Sequence, residues 1–163
     1  MTAGDITSTP VTRFLDERGI PYRFFQHSGV MHSLEQAARE RGQRPEQIIR
    51  SILFRLSRGG FVMVLVAGLN QVSWQVLRKH LGTSRISMAT ESEVLQVTGY
   101  PIGAVSPFGT RQPVRILVDR GILAEAEISV GSGVRYTTVI MQRDDFIRAL
   151  GEVEVGDFTQ PEG

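Results

Sequence analysis

No cysteine occurs among the 163 residues, which excludes disulfide scaffolds, cysteine nucleophiles, thiolate zinc sites and iron–sulfur clusters together. Any metal would have to sit on histidine and carboxylates. Lysine is nearly as scarce: Lys79 is the single lysine among 18 cations. An arginine-dominated set suits planar phosphate recognition, and equally reflects a GC-rich genome or a warm habitat. An excess of one charge sign is also missing, because 17 anions leave a net charge of +1. The whole-molecule field therefore draws no polyanion from a distance, although a local basic patch stays open. No apolar run approaches the roughly 20 residues needed to span a bilayer. The N-terminus lacks a basic start followed by an apolar stretch, so a cytoplasmic location is expected.

What remains is the composition of one folded domain: 41% hydrophobic, 21% charged and 7% aromatic residues. Thr9-Pro10 ahead of Val11, Phe14 and Leu15 predicts a helix that Gly19 ends. Residues 20–26 read as a strand. Ser33 with Gln36 predicts a capped second helix. Residues 48–56 and 61–67, joined by a Ser-Arg-Gly-Gly turn, predict a β-hairpin whose second strand, apolar throughout, is central and covered on both faces. Helices capped at Ser73 and at Thr90 with Glu93 flank a short strand near residues 85–88. Three further strands are expected at 114–119, 127–130 and 136–141, with a closing helix at 144–150. The order predicts a mixed α/β or α+β fold, a central mixed sheet flanked by helices. The domain is expected over residues 1–152, with 153–163 as a polar tail loose on the surface.

Residues 98–110, with three glycines and two prolines, form a long irregular segment of the kind that shapes a site. Gly131-Ser132-Gly133 is either an anion nest or a plain hairpin turn. No GxGxxG or GxxxxGK[ST] motif is present, His27 and His32 are poorly spaced for a metal, and no GxSxG elbow supports a serine nucleophile. Hence no cofactor is expected. Arg50 stands in an otherwise apolar strand, where a charge must find a partner, reach solvent or face a polar cleft. Arg13, Arg18 and Arg23 are close enough in sequence for a patch or for a solvated helix face.

In order, TPVTRFLDERGIPYRFFQH (9–27), RPEQIIRSILFR (44–55), FVMVLVAGLNQVSWQVLRKHLG (61–82), SMATESEVLQVTGYPIGAVSPFG (87–109) and ISVGSGVRYTTVIMQRDDF (128–146) resemble the YbaK family, the prolyl-tRNA editing domain, over nearly the whole chain. The resemblance implies a compact editing domain that hydrolyses the ester of misacylated tRNA, here in a free-standing form acting on tRNA for proline carrying a small wrong amino acid. It implies a pocket between the loop carrying Gly99, Tyr100, Gly103, Ser106, Pro107 and Gly109 and the turn of Gly131, Ser132 and Gly133. Phe25 and His27 match positions near its wall. The family lysine falls on Arg50, which keeps the charge but cannot act as a base, and Thr138 stands where an acidic residue is common. Backbone N–H groups of Gly103 and Ala104 are the expected oxyanion donors, with Arg50 orienting a phosphate or carbonyl. The implied partner is an aminoacyl-tRNA acceptor end, with a synthetase or elongation factor adding affinity; neither membrane nor DNA is expected. The alternative is a non-catalytic module of the same fold that binds an aminoacyl-tRNA end, an aminoacyl-adenylate-like ligand or a synthetase.

Overall fold

In the computed structural model, which describes residue 6 and residues 8–160, helix α1 (Pro10–Glu17) opens the fold. The Thr9 hydroxyl accepts the Thr12 N–H at 3.1 Å and the Thr12 hydroxyl accepts the Thr9 N–H at 2.8 Å, satisfying two donors that a helix start leaves free. Strand β1 (Arg23–Gln26) and helix α2 (Leu34–Glu40) follow. The box expected at Ser33 forms by half: Ser33 Oγ accepts the Gln36 N–H, but the Gln36 side chain takes the N–H of His32 instead.

The hairpin is β2 (Ile49–Leu56) with β3 (Phe61–Ala67), antiparallel from Ile49 opposite Ala67 to Arg55 opposite Phe61. Then come α3 (Trp74–Leu81), β4 (Ile86–Met88) and α4 (Glu91–Thr98), whose Thr90–Glu93 box is reciprocal as expected. Strands β5 (Arg115–Asp119), β6 (Glu127–Gly131) and β7 (Thr137–Gln142), helix α5 (Arg143–Leu150) and strand β8 (Glu154–Gly156) complete the order.

The class is mixed α/β, and the strands divide into two sheets instead of one. Five strands run β4-β2-β3-β5-β8, with β3–β5 and β5–β8 parallel; three run β1-β7-β6. Met63 and Leu65 of the central β3 pack into one core, while Val62, Val64 and Val66 pack into another beside Leu77 and Phe158. That explains an apolar run without alternation: both faces of β3 are covered. The two sheets meet at an isolated parallel bridge between Ile48 and Ser129. Because β4 is three residues long and pairs only with Phe54–Leu56, residues 49–53 keep a strand edge that β4 does not cover.

The C-terminal segment is not loose where it is described. β8 pairs with β5, Phe158 is buried, and Thr159 bridges to Val72. Buried Asp119 is the clamp: its Oδ1 accepts the Phe158 N–H at 2.8 Å and its Oδ2 the Gly121 N–H at 3.0 Å, so a carboxylate too deep for water is satisfied by backbone. Glu154 adds a bidentate contact from Arg115, at 2.6 and 2.7 Å, and one with His80 at 3.1 Å. The Arg115 bond holds the Glu154 carboxyl down at about 2, against an ordinary 4.5. A depressed carboxyl stabilises the fold above its unfolded value and loses that contribution as pH falls. Glu154→Gln should therefore lower the urea midpoint at neutral pH, with the difference from the parent closing between about 4.5 and about 2. The effect should be small, because the side chain is 41% exposed. A midpoint difference that persists at the acid end would contradict the Arg115 assignment.

Candidate functional site

A cavity of about 350 Å³ opens where the uncovered edge of β2 meets the second sheet. Its wall is mainly apolar, with Ile49, Leu53 and Val94 on one side and Val105 and Val130 on the other, and two cations, Arg41 and Arg50, interrupt it. Gly103, Gly131 and Thr138 also line it. Of the residues singled out from sequence, Arg50, Gly103, Gly131 and Thr138 are thus brought to one space.

The cavity exists because two glycine segments touch. A side-chain carbon on Gly131 would stand 2.4 Å from the Val105 carbonyl oxygen and 3.0 Å from that of Ala104. Only hydrogen fits there. The Gly133 N–H donates to Ala104 O at 3.0 Å, and a side-chain carbon on Gly133, whose φ is +91°, would meet the Tyr100 ring at 2.8 Å. Tyr100 is buried, and its hydroxyl donates to Phe108 O at 2.5 Å with Gly109 O at 3.0 Å; burial pushes its pKa up to about 12. Tyr100 therefore ties together the two ends of the 98–110 segment from behind and lies outside the cavity lining. The buried Ser106 hydroxyl accepts the Phe108 N–H, and Gly99 ends α4 at φ +83°. Ser106, Pro107, Gly99 and Gly109 shape the loop without reaching the cavity wall.

Inside the loop the Ala104 N–H donates to Pro101 O at 3.0 Å, so this expected donor is spent on the turn. Among the described residues the N–H groups of Gly103 and Val105, both in the lining, have no hydrogen-bond partner. The Val105 N–H, beside that of Gly103, is free where that of Ala104 is not. Its apolar side chain gave no hint in the sequence, since the free group is backbone.

Arg50, on β2, reaches to the turn that follows β3. Its Nε donates to Gly68 O at 2.6 Å and its Nη2 donates to Asn70 O, leaving Nη1 without a partner among the described residues. Burial lowers its pKa, yet a guanidinium keeps its charge at neutral pH. The next residue, Ser51, also lines the cavity, and its buried Oγ has no partner among the described residues.

Arg41, at the C-terminal end of α2, is a residue that the sequence did not single out. Its Nε donates to His27 Nε2 at 3.0 Å and its Nη1 donates to Ser129 Oγ at 3.0 Å. A guanidinium can only donate, so His27 Nε2 is the acceptor and the proton sits on Nδ1, which donates to Glu40 Oε1 at 3.2 Å. His27 is buried behind Arg41, with the Phe25 ring packed edge-on at 4.9 Å. Both residues are one layer back from the cavity. Burial holds Arg41 down at about 10. No carboxylate lies within ion-pair distance of it among the described residues, so the cavity wall carries a desolvated cation fixed by neutral partners. At the other flank, the Thr138 hydroxyl donates to Val130 O at 2.7 Å, and the Ser132 and Thr137 hydroxyls bond to each other.

Known proteins resemble this chain in fold and in sequence. A solved candidate trans-editing enzyme for prolyl tRNA synthetase superposes with a TM-score of 0.85 over 95% of this chain and 99% of its own, at 24% identity. The Escherichia coli protein named multifunctional Ser/Thr-tRNA deacylase ProXp-y is 25% identical over 162 residues, 97% of this chain and 96% of the relative. Proline--tRNA ligase of Thermosipho melanesiensis is 31% identical over 138 residues, 83% of this chain but 24% of the ligase. The chain spans about a quarter or less of the length of such ligases. The family model described as the aminoacyl-tRNA editing domain matches residues 28–149, a span that includes every residue of the cavity wall, and the chain belongs to that family.

Proposed function

We propose that the chain is a trans-acting aminoacyl-tRNA deacylase that takes the aminoacyl end of a misacylated tRNA, tRNA for proline carrying a small wrong amino acid, into the cavity between β2 and the Gly103–Val105 loop. The observation that carries this reading is the pairing of two unpartnered backbone N–H groups with an anchored guanidinium around a space of about 350 Å³.

An aminoacyl ester is already activated, so the protein must position a water and stabilise charge. Water oxygen bonds to the ester carbonyl carbon and the carbonyl oxygen becomes an oxyanion. The Gly103 and Val105 N–H groups and the free edge of Arg50 receive that charge; each such donor is worth about 10²–10³ in rate. Collapse breaks the bond to the terminal ribose oxygen, which leaves with a proton drawn from the attacking water. The released products are free amino acid and tRNA. Neither arginine serves as base at neutral pH, so the proton moves through a ribose hydroxyl or solvent. Arg41, held by His27 and Ser129, supports the far wall against the substrate's polar groups.

Deacylation of tRNA for proline charged with Ala, Cys, Ser, Thr or Pro tests the reading. Faster release of one wrong amino acid than of proline is the expected result. Binding of every charged tRNA by folded protein with hydrolysis of none would instead favour the non-catalytic module, which the absence of a side-chain base leaves chemically reasonable.

A further inference from the structure

A second concavity, an open groove of about 790 Å³, lies where the hairpin turn at residues 57–60 meets the 84–87 segment. Arg55, Arg78 and Arg85 line it together with Ser57, Ser84 and Ser87. Arg55 contacts Glu93 at 3.4 Å. Arg78 and Arg85 have no ion-pair or side-chain hydrogen-bond partner among the described residues, and neither has Arg58 in the adjoining turn. Arg78 is also half-buried, and a guanidinium partly withdrawn from water without a carboxylate is costly unless something else meets it. The arginines near the N-terminus differ: Arg18 stacks 3.5 Å from the Phe14 ring centroid and Arg23 faces Glu127 at 3.7 Å. Arg39, Lys79 and Arg111 also lack a partner among the described residues, but they line neither concavity; the groove is where two unpartnered guanidiniums share one concave wall.

The groove adjoins the cavity across one short strand. Ser87 of β4 lines the groove and Met88 the cavity. Leu53 of the cavity wall and Arg55 of the groove are two residues apart on one face of β2, about 7 Å at the usual rise. Planar guanidinium forks match phosphate oxygens in pairs, and hydroxyls on the same wall can donate further hydrogen bonds to them. We infer that the Arg78–Arg85 groove is the docking surface for the phosphate backbone of the tRNA acceptor arm, whose 3′ end continues into the cavity. This rests on the proposed function for its direction, but binding itself requires no hydrolysis.

The test is equilibrium binding of uncharged tRNA to the full chain over a salt series, comparing the parent, Arg78→Gln with Arg85→Gln, and a control of equal charge change, Arg120→Gln with Arg148→Gln, whose partners are Asp157 and Asp145. Losing two phosphate contacts should flatten the slope of log K against log salt by about 2 and weaken low-salt binding at least tenfold. In deacylation the groove variant should raise KM and leave kcat unchanged. An unchanged slope, or an equal loss in the control, would overturn the inference, as would a parent that does not bind tRNA. If the groove variant loses binding while no charged tRNA is ever hydrolysed, the groove stands and the deacylase reading fails. If hydrolysis proceeds with the groove variant's KM unchanged, the reverse holds.

Discussion

Replacing Arg50 by alanine should lower kcat/KM for the hydrolysed aminoacyl-tRNA by about 10²–10³, the usual loss when one stabiliser of a developing oxyanion is removed. The geometry separates this from a folding defect. Arg50 donates to the carbonyls of Gly68 and Asn70, and the turn that carries them is at the surface, with Leu69 55% exposed. Water can replace the lost donors, so the stability cost should stay near 1 kcal/mol. β2 keeps its ladder to β3 through seven residue pairs. Arg50→Lys retains the charge but offers a single nitrogen for two carbonyls and the substrate together; its rate should fall between parent and alanine. Steady-state kinetics beside urea unfolding settles the point. Loss of rate with little loss of stability assigns Arg50 to the reaction, whereas a parental rate in Arg50→Ala makes it a latch for the 68–70 turn and removes it from the proposed mechanism.

Local signals in the sequence found most elements, because they are written in neighbouring residues. Thr9-Pro10, Ser73 with Gly82, and Thr90 with Glu93 mark helix ends through hydrogen bonds spanning three or four positions. The hairpin turn is flanked by its own strands. What escaped the sequence depends on distance along the chain. The docking of the last residues rests on Asp119 and Phe158, 39 positions apart, and nothing in the acidic, polar tail announces a buried ring. The split into two sheets, which meet at a bridge between Ile48 and Ser129, 81 positions apart, was written in no local pattern. Arg41 reads in sequence as one more charge at a helix end, and its tie to Ser129 bridges 88 positions. At the loop, the sequence singled out residues 98–110 as a candidate segment but could not show that the Ala104 N–H is spent on Pro101 O: which N–H a turn consumes is decided by the backbone path, not by residue type.

The same backbone logic makes Gly131→Ala a damaging methyl, because among the described glycines its added carbon would meet the nearest obstacle. Gly131 lies in β6 opposite Thr138 with no positive φ, so conformational freedom does not explain it; the explanation is space. Ordinary contact begins near 3.4 Å, and the added carbon would stand 2.4 Å from Val105 O. The gap must therefore open by about 1 Å (3.4 − 2.4). The neighbour is main chain and cannot swing away as a side chain would. Moving it also strains the Gly133 N–H to Ala104 O bond and draws the Gly103 and Val105 N–H groups off the cavity. Overpacking of this kind costs about 1–3 kcal/mol, and two backbone clashes place Gly131→Ala near 3. A misplacement of about 1 Å at a reacting centre can cost 10²-fold in rate, so kcat/KM should fall at least that far in the fraction that remains folded. Gly103→Ala is the informative contrast. Its added carbon meets nothing within 4 Å, but its φ of +95° is unfavourable for alanine, which should cost about 1 kcal/mol and leave the contact between the two glycine segments in place. If Gly131→Ala unfolds at the parental urea midpoint with kcat/KM within twofold, then the two segments do not meet as described and the donors cannot be held by their contact.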